Sequence, residues 1–149
     1  MKKQKSKLLG LFSEAIRKNW EREAFTDFGG ESQSYRQVAE RIVDLHQIFK
    51  EAKIAKGDKI ALLGNNSCDW SISFIGIMTY GAVVVPILPD FSIENIHHII
   101  NHSDSKILLV SQAIFERIDV ERVKDLEGIV ELKTYEVLHD KNNKLKKAF

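Results

Sequence analysis

One cysteine and two prolines are all that the 149 residues hold of either type. The lone cysteine, Cys68, cannot close an internal disulfide, so a secreted, disulfide-framed fold is excluded. It stands between Ser67 and Asp69, with no His or Lys beside it to lower its pKa. A small buried side chain at a helix start is therefore expected, and a nucleophile is not. Charge of one sign is also missing. With 22 basic and 21 acidic residues the net charge is +1, which leaves no electrostatic footprint for nucleic acid. There is no G-x-G-x-x-G, no G-x-x-x-x-G-K-[ST] and no G-x-S-x-G. The usual phosphate cradles and the nucleophile elbow are thereby excluded. Internal repeats and low-complexity tracts are absent too.

What is present is an ordinary globular composition, 44% hydrophobic and 29% charged, about one domain in length. Lysines gather at both ends, Lys2, Lys3, Lys5 and Lys7 and then Lys141, Lys144, Lys146 and Lys147, and read as solvated tails. The opening lysines followed by Leu8, Leu9, Leu11 and Phe12 imitate a signal peptide. The apolar stretch stops at Ser13-Glu14, short of an h-region of roughly 7–15 residues. Trp70–Pro89 is uncharged and long enough to cross a bilayer. Gly76, Gly81, Pro86 and Pro89 interrupt it, and Val83-Val84-Val85 is β-branched, so a buried helix followed by a buried strand is expected instead. No transmembrane segment is assigned, and the expected location is the cytoplasm.

Periodicity orders the elements. Leu8, Phe12, Ala15, Ile16 and Trp20 predict an amphipathic helix over Lys7–Trp20. Ala24–Phe28, Gly29-Gly30 and Glu31–Tyr35 predict a short hairpin. Ser34 and Gln37 fit a capping box ahead of a helix with Val38, Ile42, Leu45, Phe49 and Ala52 on one face. Beyond the Lys56-Gly57-Asp58 break, strands are expected at Lys59–Gly64, Ala82–Leu88, Lys106–Val110 and Ile129–Leu132. Helices are expected at Cys68–Tyr80, after Ser92, and around Ile114, Phe115, Ile118 and Val123. Lys141–Phe149 reads as a frayed tail. Short strand–helix–strand connections force parallel neighbours with right-handed crossovers. The expected fold is thus three-layer α/β, a mostly parallel sheet with helices on both faces, preceded by a helix and a short hairpin. Residues 1–33 form the leading helix and hairpin, 34–138 the α/β core, and 139–149 a basic tail.

Chemistry-bearing clusters are few. His98 and His102 are four apart on a predicted helix, at metal-ligand spacing, with His97 beside them. A third ligand would have to come from Asp104 or Asp90, and the simpler reading is a polar helix face opposite Ile96, Ile99 and Ile100. No metal site is assigned. The strand ends Gly64-Asn65-Asn66, Leu88-Pro89-Asp90 and Val110-Ser111 do not assemble the acidic magnesium pocket of a receiver module.

Five segments in order carry a resemblance to the adenylate-forming superfamily of acyl-CoA synthetases, peptide-synthetase adenylation domains and luciferases. Ser34-Tyr35-Arg36-Gln37-Val38-Ala39 resembles its "TYxEL", and Ile54–Leu62 (IAKGDKIAL) resembles "GVxKGDRVAIL". Asn65-Asn66-Ser67 with Asp69-Trp70 resembles "NSxEW", and Gly81–Ile87 (GAVVVPI) resembles "GAVVVPL". Asn101–Val110 (NHSDSKILLV) resembles "xxDSEAKVLIV". Each segment alone is fold grammar; the order and spacing across Ser34–Val110 are what carry the resemblance. Pro86–Phe91 and the length of the leading segment most resemble long-chain fatty acyl-CoA synthetases.

The resemblance implies an incomplete part of a larger adenylate-forming domain, the N-terminal subdomain of an AMP-forming fatty acid–CoA ligase. It implies ATP, Mg²⁺ and CoA as cofactors of the intact enzyme, and fatty acid, ATP and CoA as its small-molecule partners. The family's Ser/Thr/Gly-rich loop, its aromatic-Gly-x-Thr-Glu motif, its ribose-binding aspartate and its lid lysine have no counterpart in these 149 residues. No catalytic residue is assigned, no cofactor is expected on this chain alone, and the chain alone is expected to be inactive. Uncovered apolar surface is expected to drive self-association. A stand-alone, non-catalytic interaction module on the same scaffold is the alternative. In acetyl-type relatives the loop matching Leu88-Pro89-Asp90-Phe91 is glycine-rich and follows the CoA nucleotide, with arginines after the next strand. Here Pro89 and Asp90 replace glycines, and Arg117 lies one residue past the aligned position, where Glu116 stands. Leu88, Pro89, Phe91 and Arg117 are the candidate CoA path.

Overall fold

Local chemistry sets where each element begins. The computed structural model describes residues 7–143 and Leu145. Helix α1 (Lys7–Lys18) ends two residues before its expected limit. The hairpin pairs β1 (Glu23–Thr26) with β2 (Ser32–Ser34), antiparallel. Helix α2 (Tyr35–Glu51) starts on a complete capping box. The Ser34 hydroxyl accepts from Gln37 N–H at 3.3 Å, and the Gln37 side chain accepts from Ser34 N–H at 2.8 Å. Its buried face is Val38, Ile42, Leu45, Ile48 and Phe49. Gly57, at φ +88°, turns the chain into β3 (Lys59–Leu63), and the Asp58 carboxylate accepts from Ala55 N–H to tighten that turn.

Helix α3 (Cys68–Tyr80) is capped by the Ser67 hydroxyl, which accepts from Trp70 N–H at 3.1 Å. It ends on Gly81 in the left-handed region. Strand β4 (Val83–Ile87), helix α4 (Ile93–His102) and strand β5 (Ser105–Val110) follow in the expected order.

The sheet order is β4-β3-β5-β6-β7, where β6 is Gly128–Glu131 and β7 is Val137–Asp140. Strands β3 to β6 are parallel, and β7 is antiparallel to β6. Period-two alternation divides the core. Ile60, Leu62, Ile107, Leu109 and Val130 face α2 and α3, while Ala61, Leu63, Leu108, Val110 and Ile129 face α4 and the segment after β5. Pro86 sits in β4, the edge strand, where a missing N–H costs no ladder bond. The expected three-layer α/β architecture is what is found.

The last third corrects three expectations. The helix expected to reach Val123 is one turn, α5 (Gln112–Phe115), followed by a 3-10 turn at Val120–Arg122. Ile114, Ile118 and Val123 are buried as their spacing suggests. The chain bends between them because the Asp119 side chain accepts from Glu121 N–H and fixes a turn there. Strand β7 was not expected as a strand at all, and it runs through residues 137–140, so the division at 138/139 falls inside it. The frayed-tail expectation fails where it can be seen. Lys141 N–H donates to Glu127 O, the Lys141 ammonium donates to Lys124 O, and Leu145 is buried in the core. A Cβ at Gly128 would run into Leu145, which explains a glycine at the start of β6. Lys144 and residues 146–149 lie outside the described residues, as do Lys2, Lys3 and Lys5.

Candidate functional site

In the parallel part of the sheet, β3 to β4 runs one way and β4 to β5 crosses back over β3, so the order reverses between β3 and β5. Open sheets of this kind take ligands beyond the carboxyl ends of their strands. Leu88, Pro89 and Phe91 stand there together in one turn, closed by Phe91 N–H donating to Leu88 O at 3.2 Å. Leu88 is 61% exposed and Phe91 38%. For apolar side chains at a strand end, that exposure is surface open to a ligand or to a neighbouring domain. Arg117 is exposed in the turn after α5, at the same end of the sheet but beyond β5. Strand β3 separates the two segments, roughly 10 Å across two strand spacings. The turn residues are thus brought together. Arg117 shares their end of the sheet without a hydrogen bond or ion pair to them among the described residues.

A cavity of about 560 Å³ lies beside α2 and is lined by Asp27, Gln33, Glu40, Arg41, Asp69 and Lys133 among others. Arg41 organises it. Its guanidinium lies 3.1 Å from the Asp69 carboxylate, donates to Leu132 O at 3.3 Å, and sits 4.6 Å over the Tyr135 ring. One side chain thereby ties α2, the start of α3 and the β6–β7 turn. Burial raises the Asp69 pKa, and the Arg41 charge opposes that rise. Glu131 anchors the same turn, its carboxylate accepting from Lys133 N–H, Thr134 N–H and the Thr134 hydroxyl. Burial pushes its pKa up, but these bonds outweigh burial and hold it below the ordinary range. Sequence reasoning missed both residues. Arg41 and Leu132 are 91 positions apart, and no local pattern announces the pairing.

The histidines divide differently from the polar face expected of them. His98 and His102 are exposed and stack at 5.5 Å, but His97 is buried. Its Nε2 accepts from Asp119 N–H at 3.1 Å, which places the proton on Nδ1, where it finds no partner. Burial pushes the His97 pKa down, with Arg122 adding to the effect. Cys68 is buried, its backbone N–H donates to the Asp27 carboxylate, and burial pushes its thiol pKa up. A group protonated in this way is inert, as its sequence context suggested.

The described residues assemble no group of three or more His, Cys, Asp or Glu side chains suited to a metal ion. The chain's strand-to-helix turns also carry no glycine-rich phosphate loop. The donors present among the described residues therefore do not by themselves form a site for Mg²⁺ or for the phosphates of ATP. No helix among the described residues is long and apolar enough to cross a membrane.

A doubly wound, mostly parallel sheet with its loops gathered at the carboxyl ends places the chain among the open α/β ligand-binding layers. Comparison with known proteins narrows this class. Residues 12–148 match the family described as AMP-binding enzyme, and the chain belongs to that family. It is 30% identical over 104 residues to surfactin synthase subunit 2 of Bacillus subtilis (strain 168), covering 70% of this chain and 3% of that protein. It is 34% identical over 82 residues to a chloroplastic long-chain-fatty-acid–[acyl-carrier-protein] ligase of Arabidopsis thaliana, covering 55% of this chain and 11% of that one. The crystal structure of the anthranilate CoA ligase AuaEII in complex with anthranoyl-AMP superimposes with a TM-score of 0.77. That match, at 22% identity over 85% of this chain and 25% of the other, speaks to the fold. The chain thus spans a small part of the relatives it matches.

Proposed function

We propose that this chain is the first subdomain of an ATP-dependent, AMP-forming ligase that activates a carboxylate as an acyl-adenylate and passes the acyl group to a thiol. The family match over residues 12–148 carries this reading. In the proposed reaction the carboxylate attacks the α-phosphorus of ATP and pyrophosphate leaves. The thiolate then attacks the acyl carbon and AMP leaves. The chain supplies scaffold to this chemistry and none of its catalytic groups.

The finer reading is a long-chain fatty acid as the carboxylate and CoA as the thiol. The plant ligase supports the fatty acid, being named for a long-chain fatty acid. The same name favours a second reading of the acceptor, a carrier-protein thiol. In the CoA reading, Leu88, Pro89 and Phe91 flank the path of the CoA nucleotide and Arg117 meets its phosphates. Asp90, exposed in the same turn, is the unfavourable charge in that arrangement.

The test uses the protein that carries this chain, incubated with ATP, Mg²⁺, fatty acids of graded length and either CoA or a carrier protein. AMP release with thioester formation on CoA is expected. A thioester confined to the carrier protein selects the second acceptor, and no acid-dependent AMP with any carboxylate overturns the ligase reading. Within the same protein, Phe91→Ala and Arg117→Ala are expected to raise the KM for CoA while adenylate formation is untouched. If both half-reactions fall together, or neither changes, the Leu88–Phe91 turn is scaffold.

A further inference from the structure

We propose that the groove between α1, α2 and α3 binds a single-chain aliphatic carboxylate, its chain laid along the groove and its head on the Arg17 guanidinium. Which acid or thiol the ligase uses does not enter, because the groove is walled by helices and by none of the loops that follow the strands. It encloses about 380 Å³, and small-molecule sites fall in a range of about 300–1,000 Å³. Its lining is mostly apolar, as such sites require.

The sequence leaves the space there. Packed helices close the gap between them when large side chains of one seat in the grooves of the other. Here Ser13 on α1 and Ala39 on α2 both line the gap, and both are small. Phe12 and Ile16 beside them stay only half-buried, and Val43 on α2 is 65% exposed. Apolar surface left in water in this way gains by being covered. The polar atoms in the lining are already committed. The His46 Nε2–H donates to Gly76 O at 2.9 Å, and the Thr79 hydroxyl donates to Ile75 O at 2.8 Å. A hydrocarbon chain laid over them strands neither donor.

Charge selects the head group. No carboxylate lines the groove, burial favours the neutral form of His46, and Arg17 at the rim is the one fixed charge in the lining. Arg17 is exposed and donates within its own helix, from Nε to Ser13 O at 3.4 Å and from Nη2 to Ser13 Oγ at 3.0 Å. It has no carboxylate partner among the described residues, since Glu14 pairs instead with Lys18 at 2.6 Å. The guanidinium fork keeps donors to spare, in a plane that matches a carboxylate. A single cation balances a monoanion and would leave the second charge of a phosphate uncompensated. From Arg17 back to Leu9 the helix axis runs about 12 Å, which suits a chain of medium length.

The test is calorimetric titration of the 149-residue chain with decanoate below its micelle concentration, with decanol and decyltrimethylammonium as neutral and cationic probes. Decanoate is expected to bind one per chain, about fivefold more tightly than decanol, with no binding of the cation. Ala39→Leu fills the groove and should abolish decanoate binding with the melting temperature held or raised. Should that variant fail to fold, Arg17→Gln decides. Its side chain is exposed, so the fold stays intact, and the preference for decanoate over decanol should vanish. Absence of saturable decanoate binding overturns the proposal. So does decanol bound as tightly, full binding by a folded Ala39→Leu variant, or a preference that survives Arg17→Gln. If sedimentation of the free chain shows a dimer that Val43→Glu dissociates, and decanoate does not bind, a second copy fills the groove and the proposal fails.

Discussion

Helices α1 and α3 differ by one residue in length and by almost everything in environment. In α3 the side chains of Cys68, Ile72, Ser73, Ile75 and Ile77 are buried, and Gly76 lets α2 approach closely. In α1 Leu8 and Leu11 are exposed, while Leu9, Phe12 and Ile16 line the groove against α2 and α3. Both are rich in apolar residues, so apolar content alone does not say whether a helix is core. The arrangement does: α3 is apolar nearly all round and needs cover on all sides, whereas α1 carries a polar arc and can rest on the surface. Burial makes α3 part of the scaffold, and α1 rests on its surface through one apolar face.

Cutting into α3 should therefore cost the most. Ile72→Ala removes a fully buried side chain and is expected to lower stability by about 2–5 kcal/mol, read from urea denaturation midpoints. A loss under 1 kcal/mol would show that α3 is held less tightly than its burial indicates. Gly76→Val is next. A Cβ there would lie 2.8 Å from Leu45 Cδ2, so overpacking of about 1–3 kcal/mol is expected in the same assay. Ser67→Ala removes the α3 cap and should cost about 1 kcal/mol. Leu11→Ser in α1, being exposed, should change stability by no more than about 0.5 kcal/mol.

Acidification sharpens the contrast from another side, because His46 lies in the groove where α1, α2 and α3 meet. The Gly76 carbonyl oxygen can only accept, so the His46 Nε2–H is the donor to it at 2.9 Å. Burial lowers the His46 pKa below 6.5, opposed by that bond, and burial lowers the His97 pKa likewise. The unfolded chain then binds more protons than the folded one between each folded pKa and 6.5. Stability should be full above pH 6.5 and fall as pH drops through that window. Denaturation midpoints at graded pH test this, with His97→Gln expected to flatten the fall. An acid limb that begins only below the carboxylate range would show that neither histidine is held neutral.

The parallel core was legible because its strands are uninterrupted apolar runs and its helices carry hydroxyl caps at Ser34, Ser67 and Ser92. Where long-range pairing decides, the sequence was silent. Strand β7 is short and half-buried, and it exists through its register with Gly128 and Ile129. The α5 region carries helical spacing in Ile114, Ile118 and Val123. Two interactions break that helix, the Asp119 turn and the bond from Asp119 N–H to His97, 22 positions away. Arg41 belongs to the same class, since its value lies in partners that only folding brings near. Of the candidate CoA path, the turn at Leu88–Phe91 follows β4 at the sheet's carboxyl end, which the order of elements implied, and its exposure is visible only in the fold. It could not say how Arg117 would stand relative to that turn.

The most direct measurement is carboxylate-dependent exchange of labelled pyrophosphate into ATP, run in parallel on the protein that carries this chain and on the 149-residue chain alone. Exchange by the former, with the latter at the no-enzyme background, is the expected result. Exchange by neither contradicts the ligase reading. Exchange by the 149-residue chain that scales with its concentration and survives repurification would mean that the catalytic groups lie within these residues after all.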